Sequence, residues 1–279
     1  MSTARPDAIA VAPLGGRMRG GLASAAAAIL PPAVFSVIFL AAWQAYAVVF
    51  DISDAALPTP TEIGAALWRE RELLLDNTWI TVQEILIGLA LAIVVGVALG
   101  AVIRASRTVE RAVYPWLVVS QLVPIPAIAP VFVIWFGFDL RPKVLVVALV
   151  SFFPIVVNTV DGLKAVEPEL INLMRTLGAS RRRIFLAAQL PAAMPFIFSG
   201  MKVAAAFSVI GAVFGEWVGS SEGLGYLILT LNNQTATDEV FAVVVVLAAI
   251  GIGLFGMISL AERLLLPWYH QPRADAVAS

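Results

Sequence analysis

The sequence predicts an all-α integral membrane protein with about six transmembrane helices. Apolar residues make up 60% of its 279 residues and charged residues only 13%, with a mean hydropathy of +0.92. A soluble domain is nearer half apolar and a quarter charged. The apolar residues also fall in six blocks, each near or above the roughly 20 residues that a helix needs to cross a bilayer. The blocks are 28–50, 79–103, 114–138, 143–160, 192–217 and 240–262.

Six spans leave little chain for a soluble domain. We expect a transmembrane domain over 26–268, with disordered cytoplasmic tails at 1–25 and 269–279. The chain has no Cys, which excludes disulfide and thiol chemistry. Its net charge is −1, which gives no reason to expect a nucleic-acid partner. We expect no cofactor and no metal site.

The distribution of basic residues between the loops predicts the orientation. Lys and Arg are concentrated in the N-terminal tail, in the loops after the second and fourth spans, and in the C-terminal tail. The positive-inside rule places these segments, and therefore both termini, in the cytoplasm. The loops on the other side are acidic, above all at 51–76 and 218–239. These acidic loops are either a solvated outer face or a docking surface for an extracytoplasmic binding protein.

The third block contains three prolines, Pro124, Pro126 and Pro130. Each proline removes a backbone donor, so we expect a kinked or broken helix at this point. Gly96 and Gly100 in the second block have the small-xxx-small spacing of helix-packing contacts.

The cytoplasmic segment 161–191, DGLKAVEPELINLMRTLGASRRRIFLAAQLP, predicts two short amphipathic helices. Pro168 suits a first helical turn, Gly178 a helix end, and Ser180 the cap of a second helix. One face is apolar, and Arg175 and Arg181–Arg183 make the other face basic. On physical grounds such a pair either rests on anionic lipid headgroups or fills a groove in a partner protein.

This segment resembles the coupling loop of the permeases of binding-protein-dependent ABC importers. The family pattern is Glu-Ala-Ala, three residues, Gly, nine residues, Ile-x-Leu-Pro. Anchored on Gly178, the pattern places Leu-Pro at Leu190 and Pro191, but Asn172–Met174 replace Glu-Ala-Ala and Ala188 replaces Ile. In the family this loop docks in a groove of the ATPase subunit and transmits its closure to the pore. The resemblance assigns the following residues to the ATPase-coupling loop: Leu170, Leu173, Met174, Arg175, Leu177, Gly178, Ala179, Ser180, Leu190 and Pro191.

Four further segments resemble the nitrate, sulfonate, taurine and pyrimidine-precursor branch of that family, in the right order. They are 57–67 (LPTPTEIGAAL), 120–137 (SQLVPIPAIAPVFVIWFG), 151–159 (SFFPIVVNT) and 215–228 (GEWVGSSEGLGYLI). The resemblance implies a type I importer architecture in a cell (inner) membrane. The implied partners are two copies of an ABC ATPase subunit, an extracytoplasmic solute-binding protein and a second permease subunit. A homodimer is the simpler expectation, because closed two-fold pairs dominate oligomers.

The chain lacks the phosphate loop GxxxxGK[ST], so we expect a transport subunit without an ATPase site of its own and without catalytic residues. An ion-coupled carrier is the alternative, and it normally needs ionisable residues inside the membrane. Lys202 is expected to reach the cytoplasmic face along its flexible stem. Glu84 and Glu262 are expected at the membrane interface, near the ends of their spans.

Glu216 and Trp217 are the candidates for a pore or gate. Glu216 lies 14 residues beyond Lys202, roughly 21 Å along a helix, toward the outer end of its span. A carboxylate at that depth is either a satisfied structural group or a pore-facing group. Because Lys202 lies at the wrong end to select an anion, we expect a pyrimidine or flavin-type vitamin precursor as cargo. A sulfonate, taurine or nitrate is the alternative.

Overall fold

The computed structural model describes the backbone of residues 17–269 and the side chains of residues 30–269. This part of the chain contains helices and no strand. Residues 1–16 and 270–279, which make up most of the two predicted tails, lie outside the described residues. A π-helical turn spans Phe185–Gln189. The helices are α1 (Arg17–Val49), α2 (Pro60–Arg69), α3 (Arg71–Ala105), α4 (Arg107–Ser120), α5 (Ile125–Phe136), α6 (Leu140–Lys164), α7 (Pro168–Thr176), α8 (Arg181–Ile184), α9 (Leu190–Trp217), α10 (Leu224–Asn233) and α11 (Thr237–Leu265).

The predicted fold class is confirmed. Among the described residues, five helical segments are long and apolar enough to cross a membrane, and α4 with α5 gives a sixth if the pair is one span. The five are the part of α1 from Leu30, α3, α6, the continuous stretch Arg181–Trp217, and α11.

The third span is broken where the prolines predict. The axes of α4 and α5 differ by 97° across residues 121–124. Pro124 precedes α5 and Pro126 lies in its first turn, where the missing N–H has no helical partner to lose. Pro124 and Pro126 therefore mark the start of a new helix, whereas Pro130 lies inside α5.

The chain divides into two compact units, with the boundary after Glu62. In the first unit, Thr59 and Glu62 form a capping box at the start of α2. The amide of Glu62 donates to Thr59 Oγ1 at 3.3 Å, and the amide of Thr59 donates to Glu62 Oε2 at 2.7 Å. This reciprocal pair satisfies two amides at the helix start. The TPTE sequence thus fixes where α2 begins.

The core of the second unit is formed by α3, α6 and α9. Helix α3 runs parallel to α6, because Gly88 faces Val147, Gly96 faces Ile155 and Gly100 faces Thr159. Helix α9 runs antiparallel to α6, with Gly200 against Pro154 and Gly211 against Val147. Small residues at these positions allow close backbone approach, which is how helices associate where lipid removes the hydrophobic driving force.

This arrangement gives the second unit two ends of opposite charge. The basic end is where α3 and α6 finish and α9 begins, and it carries Arg104, Lys164, Arg175, Arg181, Arg182, Arg183 and Arg263. The acidic end is where α3 and α6 begin and α9 finishes, and it carries Glu72, Asp76, Asp139, Glu222, Asp238 and Glu239. At the acidic end, Arg69 Nη2 lies 3.0 Å from Asp238 Oδ2 and 2.8 Å from Glu239 Oε1. These hydrogen bonds raise the pKa of the Arg69 guanidinium above its ordinary value.

Candidate functional site

Helix α7, the first helix of the predicted coupling loop, begins and ends where its sequence predicts. Pro168 occupies the first turn, Glu169 adds negative charge there and Arg175 adds positive charge at the last turn. Gly178 has φ +78°, a conformation that glycine adopts without steric cost. The amide of Ala179 donates to Met174 O at 2.9 Å, and that of Gly178 to Arg175 O at 2.9 Å. This pair of bonds is a Schellman ending, which turns the chain sharply after α7.

The second predicted helix of the loop differs from expectation. The Ser180 side chain does accept the amide of Arg183 at 3.3 Å and so caps α8. However, α8 does not stop before the membrane, because the π-helical turn carries it directly into α9. Within this turn the amide of Leu190 donates to Phe185 O, one residue further back than in an α-helix. Pro191 then falls in the first turn of α9, where it costs little.

The apolar stripe of α7 is uncovered in the single chain. Leu170 is 45% exposed, Leu173 56% and Leu177 77%, and no residue of α7 is buried. The neighbouring Arg181–Arg183 are exposed as well. The coupling loop thus presents an apolar strip beside a basic segment, outside the packed core.

A buried charged cluster occupies the acidic end, and we call Thr81, Glu84, Lys143 and Glu216 the acidic-end cluster. Glu84 is 0% exposed and Glu216 1% exposed. Lys143 Nζ lies 2.9 Å from Glu84 Oε1, and Thr81 Oγ1 donates to Glu216 Oε1 at 2.7 Å. These side chains come from α3, α6 and α9, so the cluster joins the three central helices.

The same cluster holds the turn between α9 and α10. The amide of Leu224 donates to Thr81 Oγ1 at 2.9 Å, and that of Gly223 to Asn77 Oδ1 at 2.7 Å. The amide of Gly225 donates to Glu216 Oε2, and Lys143 Nζ donates to Ser220 Oγ at 2.7 Å. Backbone amides, which would otherwise be unsatisfied at the start of α10, therefore find partners on α3 and α9.

The glycines of this turn leave room for the Glu216 carboxylate. A Cβ at Gly223 would lie 2.3 Å from Glu216 Oε1, and Gly223 also has φ +104°. A Cβ at Gly225 would lie 2.8 Å from Glu216 Oε2. The GSSEGLG segment (219–225) is thus a tight turn wrapped around a carboxylate.

Trp217, the second candidate gate residue, lies outside the cluster. It is 41% exposed and packs edge-on against Phe214, with ring centroids 5.1 Å apart. Glu216 and Trp217 therefore occupy different environments although they are adjacent in sequence.

The other charged residues of the spans are paired between helices. Lys202 forms an ion pair with Glu262, which joins α9 to α11. Glu262 lies in the last turn of α11, at the basic end, so this partner lies in the direction in which the Lys202 stem was expected to reach. Glu84 and Glu262 are both buried against neighbouring helices. Glu84 lies 13 residues inside α3, because α3 begins at Arg71, before the predicted span start at 79.

Sequence reasoning did not identify Thr81, Asn77 or Lys143 as parts of a site. Lys143 is the first residue of the fourth predicted block and follows Pro142 in the first turn of α6. The available signal was charge balance, because Glu84 and Glu216 in two spans require a basic or donor partner at similar depth.

Comparison with known families gives a match over residues 84–268, to the model described as "Binding-protein-dependent transport system inner membrane component". The formylaminopyrimidine transport permease protein ThiX of Halalkalibacterium halodurans is 39% identical over 240 residues, covering 86% of this chain and 96% of that protein. The riboflavin transport system permease protein RibX of Chloroflexus aurantiacus is 34% identical, covering 83% of this chain and 87% of that protein. The taurine transport system permease protein TauC of Escherichia coli K12 is 28% identical, covering 84% of this chain and 88% of that protein.

Among solved structures, the fold is similar to that of inward-facing MetNI, a methionine ABC transporter. The TM-score is 0.61 at 19% identity, covering 73% of this chain and 99% of the matched chain. This likeness concerns the fold. Together with the family match and the 39% identical relative, it leads to one conclusion. The chain belongs to the family of binding-protein-dependent transport system inner membrane components and is a transmembrane permease subunit of an ABC importer.

Proposed function

We propose that this chain forms half of an importer pore that is driven by a separate ATPase subunit docked on the coupling loop. The uncovered stripe of Leu170, Leu173 and Leu177 is the observation that carries the proposal. An amphipathic helix with one exposed apolar face fits a groove in a partner protein. The Schellman ending at Gly178 holds this helix in a defined direction. The family's dependence on a separate ATPase selects the partner.

The test is co-purification of the tagged chain from its native membrane in mild detergent, followed by mass spectrometry. We expect an ATPase with a phosphate loop in near-equal amount, with two permease chains per complex. The double substitution Leu170→Ala with Leu173→Ala should release this ATPase. Leu264→Ala is the matched control, because Leu264 is 72% exposed near the same end of the bundle. A complex of this chain alone that still transports without ATP would instead establish an ion-coupled carrier.

We propose that the basic end faces the cytoplasm of a cell with this protein in its inner membrane. The concentration of Arg and Lys at this end supports that orientation. The absence of Cys makes the test direct, because any introduced cysteine is unique. In intact cells or right-side-out vesicles, an impermeant maleimide should label Ser221→Cys at the acidic end and spare Thr176→Cys in α7. The opposite pattern would reverse the topology.

For the cargo we propose a pyrimidine or flavin-type vitamin precursor, delivered by an extracytoplasmic binding protein. Two relatives at 39% and 34% identity are named for formylaminopyrimidine and riboflavin transport, whereas a relative named for aliphatic sulfonates is 32% identical and the taurine relative 28%. Lys143 and Lys202 are each paired with a glutamate, so neither offers a free cation to a sulfonate. Uptake assays with labelled formylaminopyrimidine, riboflavin and taurine test this choice. Transport of taurine or another sulfonate alone would establish the alternative cargo.

A further inference from the structure

A cavity of about 640 Å³ lies at the basic end, on the side of the coupling loop that faces the bundle. Its wall includes the last turn of α3, the end of α6, helix α7, and the segment from α8 to the π-helical turn. Three arginines line it, one from each of α3, α7 and α8. They are Arg104, Arg175 and Arg181.

The cavity and the apolar stripe use different sides of α7. Ile171 and Arg175 line the cavity and lie one turn apart on the helix. They are about 160° round the helix from the stripe centred on Leu173 and Leu177. A partner docked on the stripe therefore leaves the cavity side of α7 available to a different ligand.

The arginines of the cavity have no carboxylate partner among the described residues. No ion pair within 4.0 Å joins Arg104, Arg175 or Arg181 to an acid in that part of the chain. The Nε of Arg104 is buried and has no hydrogen-bond partner. Glu110 interacts electrostatically with Arg104, but its carboxylate binds Lys164 Nζ at 2.6 Å. A buried guanidinium N–H is costly without an acceptor, and a phosphate oxygen in the cavity would supply one.

The rest of the lining indicates what carries that anion. Apolar residues of α3, α6, α8 and the π-helical turn form an apolar wall of the cavity: Ala101, Val102, Leu163, Ile184 and Phe185. Val102 is 56% exposed on the outer surface of a spanning helix. The cavity thus lies at the end of the spans, at headgroup level, and its lining combines three arginines with apolar side chains. Basic pockets between transmembrane helices are suited to anionic lipid headgroups.

We propose that this cavity binds the phosphate of an anionic phospholipid, with Arg104, Arg175 and Arg181 as ligands and the apolar wall against the acyl chain. The bound lipid bridges α3 and α7 and so fixes the height of the coupling loop above the membrane. Guanidinium groups suit this role, because their fork of donors matches phosphate oxygens.

The test measures lipid retention by the purified full chain in nanodiscs or mild detergent, by native mass spectrometry with phosphatidylglycerol. Arg104→Gln with Arg175→Gln should lower the affinity for phosphatidylglycerol about fivefold per arginine removed. Arg175→Gln with Arg181→Gln is the second variant and changes only exposed side chains. The control is Arg182→Gln with Arg183→Gln, which removes the same charge from the same segment but outside this cavity.

We expect both cavity variants to retain less phosphatidylglycerol and the control variant to retain nearly as much as the unmodified chain. If the control variant lost as much lipid, the arginines would attract lipid only through diffuse surface charge, and the proposed site would be wrong. Inorganic phosphate that displaces dioctanoyl phosphatidylglycerol at similar concentration would show a site for free anions rather than for a lipid. Unchanged retention of phosphatidylglycerol in both cavity variants would also show that the proposed site is wrong. Lipid retention does not depend on an ATPase or a cargo, so these outcomes are separate from the tests of transport.

Discussion

Lys143 Nζ and Glu84 Oε1 lie 2.9 Å apart inside the bundle, and the pair joins α6 to α3 at the acidic end. Glu216 is close enough to act electrostatically on the same Glu84 carboxyl. The cluster therefore contains two carboxyl groups and one ammonium group. A buried charge is tolerated when paired and costly when its partner is removed. Lys143 is thus the residue on which the stability of the cluster depends.

We predict that Lys143→Met lowers the free energy of unfolding by about 3–5 kcal/mol, because two acids remain buried without their cation. The double variant Glu84→Gln with Lys143→Met should recover much of this loss, since it removes both members of the pair. Unfolding of the purified protein in sodium dodecyl sulfate, followed by tryptophan fluorescence, provides the measurement. Arg141→Gln changes an exposed cation nearby and should cost less than about 1 kcal/mol. Additive losses in the double variant would show that the two side chains are not coupled.

The turn between α9 and α10 depends on acceptors supplied by α3. Thr81→Val removes the acceptor of the Leu224 amide and also the donor to Glu216. We expect hydrogen exchange in residues 218–225 to become about fivefold faster, corresponding to the ~1 kcal/mol of one such bond. Exchange measured by mass spectrometry reports this segment directly.

Ser221→Ala is the control for that experiment, because Ser221 is exposed in the same turn. It should leave the exchange of residues 218–225 unchanged. If Thr81→Val accelerated exchange equally in α11, general loosening of the bundle would explain the result, and the local role of Thr81 would be wrong.

The contact between α3 and α6 depends on glycines whose hydrogens face the partner helix. A Cβ at Gly96 would lie 2.9 Å from the Ile155 side chain. Gly96→Ala should therefore cost about 1–3 kcal/mol through overpacking. Gly253 in α11 has no atom within 4 Å of such a Cβ. Gly253→Ala should be neutral or stabilising by up to about 1 kcal/mol, because alanine has fewer unfolded conformations. Thermal unfolding in detergent compares the two variants, and equal behaviour would contradict the packing argument.

The features that the sequence predicted well are local ones. The positions of the spans follow from the hydropathy of stretches of about 20 residues. The ends of α7 follow from Pro168 and Gly178, which act on their own turns. The break before α5 follows likewise from the backbone chemistry of Pro124 and Pro126.

The features that the sequence did not predict are contacts between residues that lie far apart in the chain. The Glu84–Lys143 pair joins residues from different spans, and hydropathy does not say which faces meet. The Lys202–Glu262 pair is of the same kind. The continuity of α8 with α9 depends on a π-helical turn, whose bond from Leu190 to Phe185 has no simple sequence signal. The candidate roles of Glu216 and Trp217 stay predictions.

Gly178 allows a last prediction that separates loop geometry from bundle stability. Its φ of +78° is unfavourable for any residue with a Cβ, although a Cβ there would meet no atom within 4 Å. Gly178→Ala should therefore distort the ending of α7 by backbone strain alone, at about 1–2 kcal/mol. The loss is confined to the loop, so thermal unfolding of the bundle should change little. Retention of the co-purified ATPase should fall.

Gly178→Asn is the matched variant, because asparagine tolerates the left-handed region better than alanine. Retention of the ATPase should therefore be highest with glycine at position 178, lower with asparagine and lowest with alanine. A steric effect would instead make the larger asparagine the worse substitution. Equal retention in all three proteins would mean that the direction of α7 does not govern docking. The coupling role assigned to this loop would then have to rest on other residues.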